Sequence, residues 1–169
     1  EPAGGGVMLE QIADVGRDLK RGGYSRHGYA KPELELRHWF VEQAVKRGLN
    51  VETDQNGNLW AWWGERGDNA LVTGSHLDSV PGGGAFDGPL GVTSALEAVD
   101  LLQATGFKPR RPFAIAVFAE EEGGRFGVAC LGSRLLTGAI SPEKALNLKD
   151  PDGITLAEAM KAAGYNPDL

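Results

Sequence analysis

The chain has 169 residues, of which 41% are hydrophobic and 24% charged, as expected for one globular domain with a core of ordinary size. Its 17 basic and 23 acidic residues give a net charge of −6, which argues against a nucleic-acid partner or an anionic membrane surface. Because the single Cys130 excludes an internal disulfide, and no apolar segment reaches the roughly 20 residues that span a bilayer, we expect a cytoplasmic protein that does not enter a membrane.

Two helices are predicted at the start of the chain. The apolar residues of the first recur three or four positions apart and are Met8, Ile12, Val15 and Leu19. The Gly22-Gly23 pair marks its predicted end. A second helix is predicted between Pro32, which suits a first helical turn, and Gly48. We interpret both helices as packing elements.

A β-hairpin is predicted next, from the runs LNVETD and LWAWWG. The sequence Asn56-Gly57 between them suits a two-residue turn with positive φ at both central residues. The run ALVTGS then predicts a further strand, and a Gly-rich loop follows it from His76 to Gly88.

A third helix, a central strand and further helices complete the predicted order. The inward-facing residues of the third helix are Val92, Ala95, Leu96, Val99 and Leu102. The continuous apolar run PFAIAVFA is typical of a strand at the centre of a sheet. GSRLLTGAI is predicted to be helical, and TLAE at 155–158 resembles a capping box. The sequence therefore predicts a three-layer α/β/α domain with a mixed central sheet.

Polar side chains follow two of these strands. His76, Asp78 and Asp87 come after the first, and three glutamates, Glu120, Glu121 and Glu122, come after the second. In open α/β sheets, strand ends that deliver polar side chains into one crevice are where ligands bind. Adjacent ionised carboxylates repel one another unless cations or protons compensate, so the glutamates favour a cation site.

Two of these residues have alternative interpretations. Asp78 is two positions after His76, so its carboxylate could accept a hydrogen bond from the imidazole and fix which nitrogen faces a metal, or the pair could be incidental. Asp87 could bridge two ions, or it could only cap the helix that begins near Pro89.

His nitrogen and carboxylate oxygen are ligands that zinc and manganese accept, and paired ions can share one carboxylate and one water. We therefore predict two divalent ions, with Asp87 as the shared ligand and His76 on one ion. One glutamate would bind the other ion, and a second would act as general base toward the bridging water. Such chemistry is hydrolytic.

The segments GSHLDSVPGGGAFDGPLGV and FAEEEGGRFG resemble one family of dinuclear metallo-amidohydrolases. Its members are N-carbamoyl-L-amino-acid hydrolases, allantoate amidohydrolases and β-ureidopropionases, which are relatives of the co-catalytic zinc carboxypeptidases. The resemblance implies that His76 binds one metal, Asp87 bridges both and Glu122 binds the second. It also implies that Glu121 is the general base and that Asp78 orients His76. Glu120 is left as a neighbour of these residues.

The chain departs from the family pattern in what it lacks. Two further histidine ligands and the dimerising lid domain have no counterpart in residues 1–169, and neither His27 nor His38 matches a missing ligand. We therefore expect an N-terminal piece of the catalytic domain of a longer, homodimeric enzyme. By itself it should bind metal weakly or not at all and turn over no substrate, since water would fill the open coordination positions.

The expected substrate is a small molecule with a linear carbamoyl or ureido C–N bond, such as an N-carbamoyl-L-amino acid or allantoate. Two alternatives stay open. The same metals would serve a metallo-dipeptidase or aminoacylase, and the fold could also belong to a non-catalytic binding domain.

Overall fold

The computed structural model describes residues 5–168 and contains a mixed sheet of four strands. The strands are β1 (Asn50–Thr53), β2 (Leu59–Trp63), β3 (Leu71–His76) and β4 (Phe113–Phe118). Their order across the sheet is β1-β2-β4-β3. β1 pairs antiparallel with β2, β2 pairs antiparallel with β4, and β3 runs parallel to β4. The predicted central position of the apolar FAIAVF strand is confirmed, because β4 lies between two neighbours.

Helices α1 (Gly5–Gln11), α2 (Lys31–Lys46) and α3 (Pro89–Ala104) pack on one face of the sheet. The larger hydrophobic core lies between them and the face of β4 that carries Ile115 and Val117. The buried helix residues in this core include Leu36, Phe40, Ala44, Val92, Leu96 and Val99. Each fully buried aliphatic or aromatic side chain of this kind contributes about 1.5–3 kcal/mol, so this core holds β3 and β4 in place.

Three shorter helices form a second hydrophobic core beyond the end of β4. They are α4 (Leu131–Leu136), α5 (Pro142–Leu146) and α6 (Leu156–Ala162), and they pack with Ala119 and Phe126 of the loop that follows β4. The predicted capping box of α6 is confirmed: the Thr155 hydroxyl accepts a hydrogen bond from Glu158 N, and the Glu158 carboxylate accepts one from Thr155 N. None of the helices in the described residues has both the length and the apolar character needed to cross a membrane.

The first helix is shorter than predicted. It ends at Gln11, and Leu19, which was expected on its inner face, is 94% exposed. The reason is the buried Arg26, whose guanidinium donates hydrogen bonds to the carbonyl oxygens of Ile12 at 3.0 Å and Val15 at 2.9 Å. These carbonyls lie in turns instead of continuing the helix. On the third helix, Leu102 also lies at the surface and not in the core.

The hairpin is confirmed, but the predicted two-residue turn is wrong. Residues 54–58 connect β1 to β2, and within them only Gly57 has a positive φ, of 84°. The carboxylate of Asp54 organises this loop, because it accepts hydrogen bonds from the backbone N–H groups of Asn56 and Asn58, each at 2.9 Å. Asp side chains that bond backbone two residues further on are common in turns and make a longer loop possible here.

Candidate metal centre

The carboxyl ends of the parallel strands β3 and β4 lie side by side, and the candidate site is formed there. His76 is the last residue of β3 and is paired in register with Phe118, the last residue of β4. The loop after β3 (residues 77–88) and the loop after β4 (residues 119–130) therefore leave the sheet as neighbours. This is the edge of an α/β sheet at which ligands bind.

His76, Asp87 and Glu122 come together at this edge. Each offers one ligand atom, and the three atoms lie within 4.8 Å of one another. Nε2 of His76 is 3.7 Å from a carboxylate oxygen of Asp87, whose side chain is 64% exposed. One imidazole nitrogen and two carboxylates form a donor set that zinc and manganese accept. The arrangement fits a divalent metal ion and contains all three residues predicted as ligands.

The Asp87 loop packs closely on the ring of His76. Gly88 has a φ of 90°, and a Cβ built there would lie 2.7 Å from Cε1 and Nδ1 of the imidazole, so a side chain at this position has no room. The alternative that Asp87 caps α3 is wrong. The N-cap residue of that helix is Gly88, and no side chain makes a capping hydrogen bond there. The carboxylate of Asp87 is thus available to a ligand.

Glu121 lies beside the three candidate ligands. Its Oε2 is 3.4 Å from Nε2 of His76, and its side chain is 32% exposed, so water can reach the carboxylate. Its other oxygen, Oε1, is 3.4 Å from Sγ of Cys130. A carboxylate next to the ligand atoms, but outside their set, has the position required of a general base.

Asp78 makes contacts that the sequence did not reveal. Its carboxylate accepts hydrogen bonds from the backbone N–H groups of Glu121 at 3.1 Å and Glu122 at 3.0 Å. Nδ1 of His76 is 2.9 Å from the backbone carbonyl oxygen of Asp78 and 3.6 Å from its carboxylate. The nearer partner of the imidazole is therefore the main chain, and the carboxylate joins the β3 loop to the β4 loop.

Burial and like charge act on the carboxyl groups of this site. Burial raises the pKa of Asp78 to about 7. It also raises the pKa of Glu122, with a further contribution from the neighbouring Asp87. Desolvation and nearby negative charge both disfavour ionisation, and a bound cation would reverse both effects. The electrostatics and the donor set therefore both favour a bound cation.

The remaining histidines and Arg125 lie outside the group of ligands. His38 is exposed on α2, and His27 is half-buried. The guanidinium of Arg125 donates hydrogen bonds to the carboxylate of Asp150 at 3.0 Å and to the carbonyl oxygen of Gly28 at 2.8 Å. It is thus occupied by structural partners.

Comparison with known proteins places the chain in a family. The model of the family named peptidase family M28 matches residues 58–164, which is more than half of the chain. An N-carbamoyl-L-amino acid amidohydrolase of Geobacillus stearothermophilus is 38% identical over 164 residues, covering 95% of this chain and 39% of that protein. A ureidoglycolate hydrolase of Arabidopsis thaliana is 39% identical over 144 residues, covering 83% of this chain and 30% of that protein.

A solved structure extends the comparison to the fold. A hydantoinase/carbamoylase family amidase from Burkholderia ambifaria superposes with a TM-score of 0.87 at 36% identity, covering 95% of this chain and 40% of that one. The predicted α/β class with a mixed sheet and layered helices is therefore confirmed. The chain spans 30 to 40% of the length of the relatives named here.

Proposed function

The chain belongs to peptidase family M28, and from that premise we propose that it takes part in the metal-dependent hydrolysis of a linear carbamoyl or ureido C–N bond. The observation that carries the proposal is the meeting of His76, Asp87 and Glu122 within 4.8 Å, with Glu121 beside them. The names of the relatives, an N-carbamoyl amino acid amidohydrolase and a ureidoglycolate hydrolase, support the substrate class.

In this proposal His76, Asp87 and Glu122 would hold zinc or manganese, and Asp87 would be shared between two ions. Bound divalent ions would polarise the substrate carbonyl and make water a stronger nucleophile at neutral pH. The exposure of the Asp87 carboxylate to solvent supports the sharing, because a carboxylate has two oxygens that can accept ligands. Asp78 keeps Glu121 and Glu122 in place through their backbone N–H groups.

Glu121 would act as the general base. Its Oε2 would accept a proton from the water that attacks the carbonyl carbon, and the same oxygen would return the proton to the nitrogen when the C–N bond breaks. The nearby thiol of Cys130 contacts the opposite oxygen, Oε1, and so leaves Oε2 available for this transfer. Water adds across the bond, and no further reactant is needed.

The role of Glu121 is tested by Glu121→Gln in the whole protein. We expect loss of turnover at an unchanged metal content, because Gln keeps the shape of the side chain but does not accept the proton. Glu143→Gln, on the exposed surface of α5, is a matched control and should keep full activity. Turnover by Glu121→Gln at the wild-type rate would refute the assignment.

The metal affinity of the 169-residue chain is a second test. We expect weak or absent binding, because the described residues bring three ligand side chains together, whereas zinc sites in proteins are most often four-coordinate. Calorimetric titration with zinc measures this directly. Tight binding of two ions to this chain would contradict the expectation.

A peptidase or aminoacylase is the second candidate function, favoured by the family name alone. Turnover of N-carbamoyl amino acids, allantoate and ureidoglycolate, compared with that of dipeptides and N-acyl amino acids, separates the two. A non-catalytic domain would instead purify without metal, and Asp87→Ala would then change only its stability.

The cellular setting stays a prediction. The free thiol of Cys130 supports a reducing compartment such as the cytoplasm. The lid domain and the homodimer implied by the family resemblance are predictions as well.

A further inference from the structure

Glu120 is the one residue of the glutamate run that does not face the candidate metal centre. Its side chain turns into the protein and is 1% exposed. There Oε1 accepts hydrogen bonds from the backbone N–H groups of Arg125 and Phe126, both at 2.8 Å. The carboxyl group thus closes the β4 loop on itself, and the segment it encloses begins with Glu121 and Glu122.

The backbone at Glu120 is held in a conformation that glycine usually supplies. Its φ is 49°, in the left-handed region that non-glycine residues seldom adopt. Such positions persist where the surroundings determine them strongly. Here the carbonyl oxygen of Glu120 also accepts a hydrogen bond from Leu131 N at 3.1 Å, so both its side chain and its main chain are held.

The β4 loop is therefore held by two carboxyl groups from opposite sides. Asp78 binds the N–H groups of Glu121 and Glu122, where the loop begins. Glu120 binds the N–H groups of Arg125 and Phe126, where the loop turns back. Hydrogen bonds to a buried acceptor of this kind are costly to lose, because the N–H groups would be left without a partner.

Gly28 also helps to hold the Glu120 carboxyl group, because it lies against the second oxygen of that group. Oε2 is buried and has no hydrogen-bond partner among the described residues. It lies against Gly28, where a Cβ would overlap it sterically. Gly28 in turn accepts a hydrogen bond from the guanidinium of Arg125 through its carbonyl oxygen. A substitution at residue 28 therefore displaces the Glu120 carboxyl group without touching the metal centre.

We propose that Glu120 is a positioning residue, whose buried carboxyl group holds the β4 loop so that Glu121 and Glu122 meet His76 and Asp87. The effect on metal affinity rests on the proposed function, whereas the effect on the loop does not. Residues that orient metal ligands without touching the metal typically change its affinity about 10- to 100-fold when they are replaced. The carboxyl oxygen is the essential feature, so glutamine should substitute for it.

The test compares four variants of the 169-residue chain with the wild type. Glu120→Ala removes the acceptor, Glu120→Gln keeps it, and Gly28→Ala displaces it. Val99→Ala, in the fully buried part of α3, lowers global stability without touching the loop. Three quantities are measured for each: the zinc dissociation constant by calorimetry, hydrogen exchange of the Arg125 and Phe126 amides by NMR, and the melting temperature.

We expect Glu120→Ala and Gly28→Ala to raise the zinc dissociation constant about tenfold or more. The same two variants should speed amide exchange at Arg125 and Phe126 selectively. Glu120→Gln should stay within about threefold of the wild type, and Val99→Ala should leave the dissociation constant unchanged while its melting temperature falls. If Glu120→Ala does not fold, Gly28→Ala and Glu120→Gln still test whether the Glu120 carboxyl group positions the β4 loop.

Three results would overturn the proposal. Glu120→Ala could leave zinc affinity unchanged, it could speed exchange throughout the molecule as Val99→Ala does, or Glu120→Gln could be as damaging as Glu120→Ala. If the whole protein takes up no zinc, the metal centre of the proposed function fails. The exchange measurement still decides whether Glu120 holds the loop.

Discussion

The pKa values of acidic residues at the carboxyl end of the sheet are shifted in the opposite direction from those in the turns and helix caps of the same chain. At the sheet end, burial raises the pKa of Asp78, Glu120 and Glu122. These groups are crowded together and partly shielded from water. Only some of their oxygens receive N–H donors, and the remainder face other acidic side chains or have no partner among the described residues.

In the turns and caps, the opposite shift occurs because neighbours supply hydrogen bonds. The Ser25 hydroxyl and the backbone N–H of Arg21 lower the pKa of Asp18. The backbone N–H and the hydroxyl of Thr155 lower that of Glu158. Each of these carboxylates stabilises a local structure and is fully ionised near neutral pH.

The contrast teaches that burial, and not the residue type, separates the two regions. A carboxylate in a turn is satisfied by its own segment and needs nothing else. At the sheet end, negative charge is concentrated beyond what the loops satisfy, which is the condition a bound cation would relieve. Three experiments can break or sharpen this contrast.

The largest effect is expected from Asp78→Ala. It leaves the partly buried backbone N–H groups of Glu121 and Glu122 without their acceptor, and a donor left unsatisfied in this way costs up to about 1–3 kcal/mol. We therefore expect the free energy of unfolding to fall by roughly 3 kcal/mol in urea denaturation. Asp78→Asn, which keeps one oxygen, should lose less. A loss no larger than that of the exposed control Glu143→Ala would show that the two loops do not depend on Asp78.

The second effect is a pH dependence due to Glu120. Its folded-state pKa is raised by burial, so between its ordinary value of 4.5 and the raised value the folded state binds a proton that the unfolded state does not. The resulting stability is present below pH 4.5 and is lost as the pH rises through the raised pKa. Its slope is at most about 1.4 kcal/mol per pH unit. Metal-free Glu120→Gln should lack this slope when stability is measured by urea denaturation at several pH values. Identical pH profiles of the wild type and Glu120→Gln would contradict this prediction.

The smallest effect is expected at the cap of α6. Thr155→Ala removes the N-cap hydroxyl and should lower the free energy of unfolding by about 1 kcal/mol.

The pH dependence due to Glu158, in the same cap, has the opposite sign to that due to Glu120, because the pKa of Glu158 is lowered. Its contribution is present above pH 4.5 and is lost as the pH falls through the lowered value. Glu158→Gln should therefore flatten the acid side of the stability profile, and a change on the alkaline side would contradict the comparison.

Patterns in the sequence predict the scaffold of the site well, because strand ends and helix faces follow from periodicity. The strand that ends at His76, the strand that precedes the glutamates, the central position of β4 and the cap of α6 are found as predicted. The meeting of His76, Asp87 and Glu122 agrees with the ligand set implied by family resemblance.

What sequence reasoning missed depends on side chains that bond distant backbone groups. Arg26 ends the first helix early by taking its carbonyl groups, and Asp54 converts a two-residue turn into a longer loop. The loop contacts of Asp78 and Glu120 depend on a left-handed residue that is not glycine, and no residue type signals that conformation. A hydrogen-bonding carboxylate and a metal-binding one look the same in a sequence.

The central claim is that His76, Asp87 and Glu122 bind a divalent cation, and X-ray anomalous scattering from crystals soaked in millimolar zinc tests it most directly. We expect zinc peaks at this group, with Nε2 of His76 and the carboxylates of Asp87 and Glu122 each within coordination distance of a zinc ion, and loss of the ion beside His76 in His76→Ala. Zinc bound elsewhere on the protein, with this site empty at the same concentration, would contradict the claim.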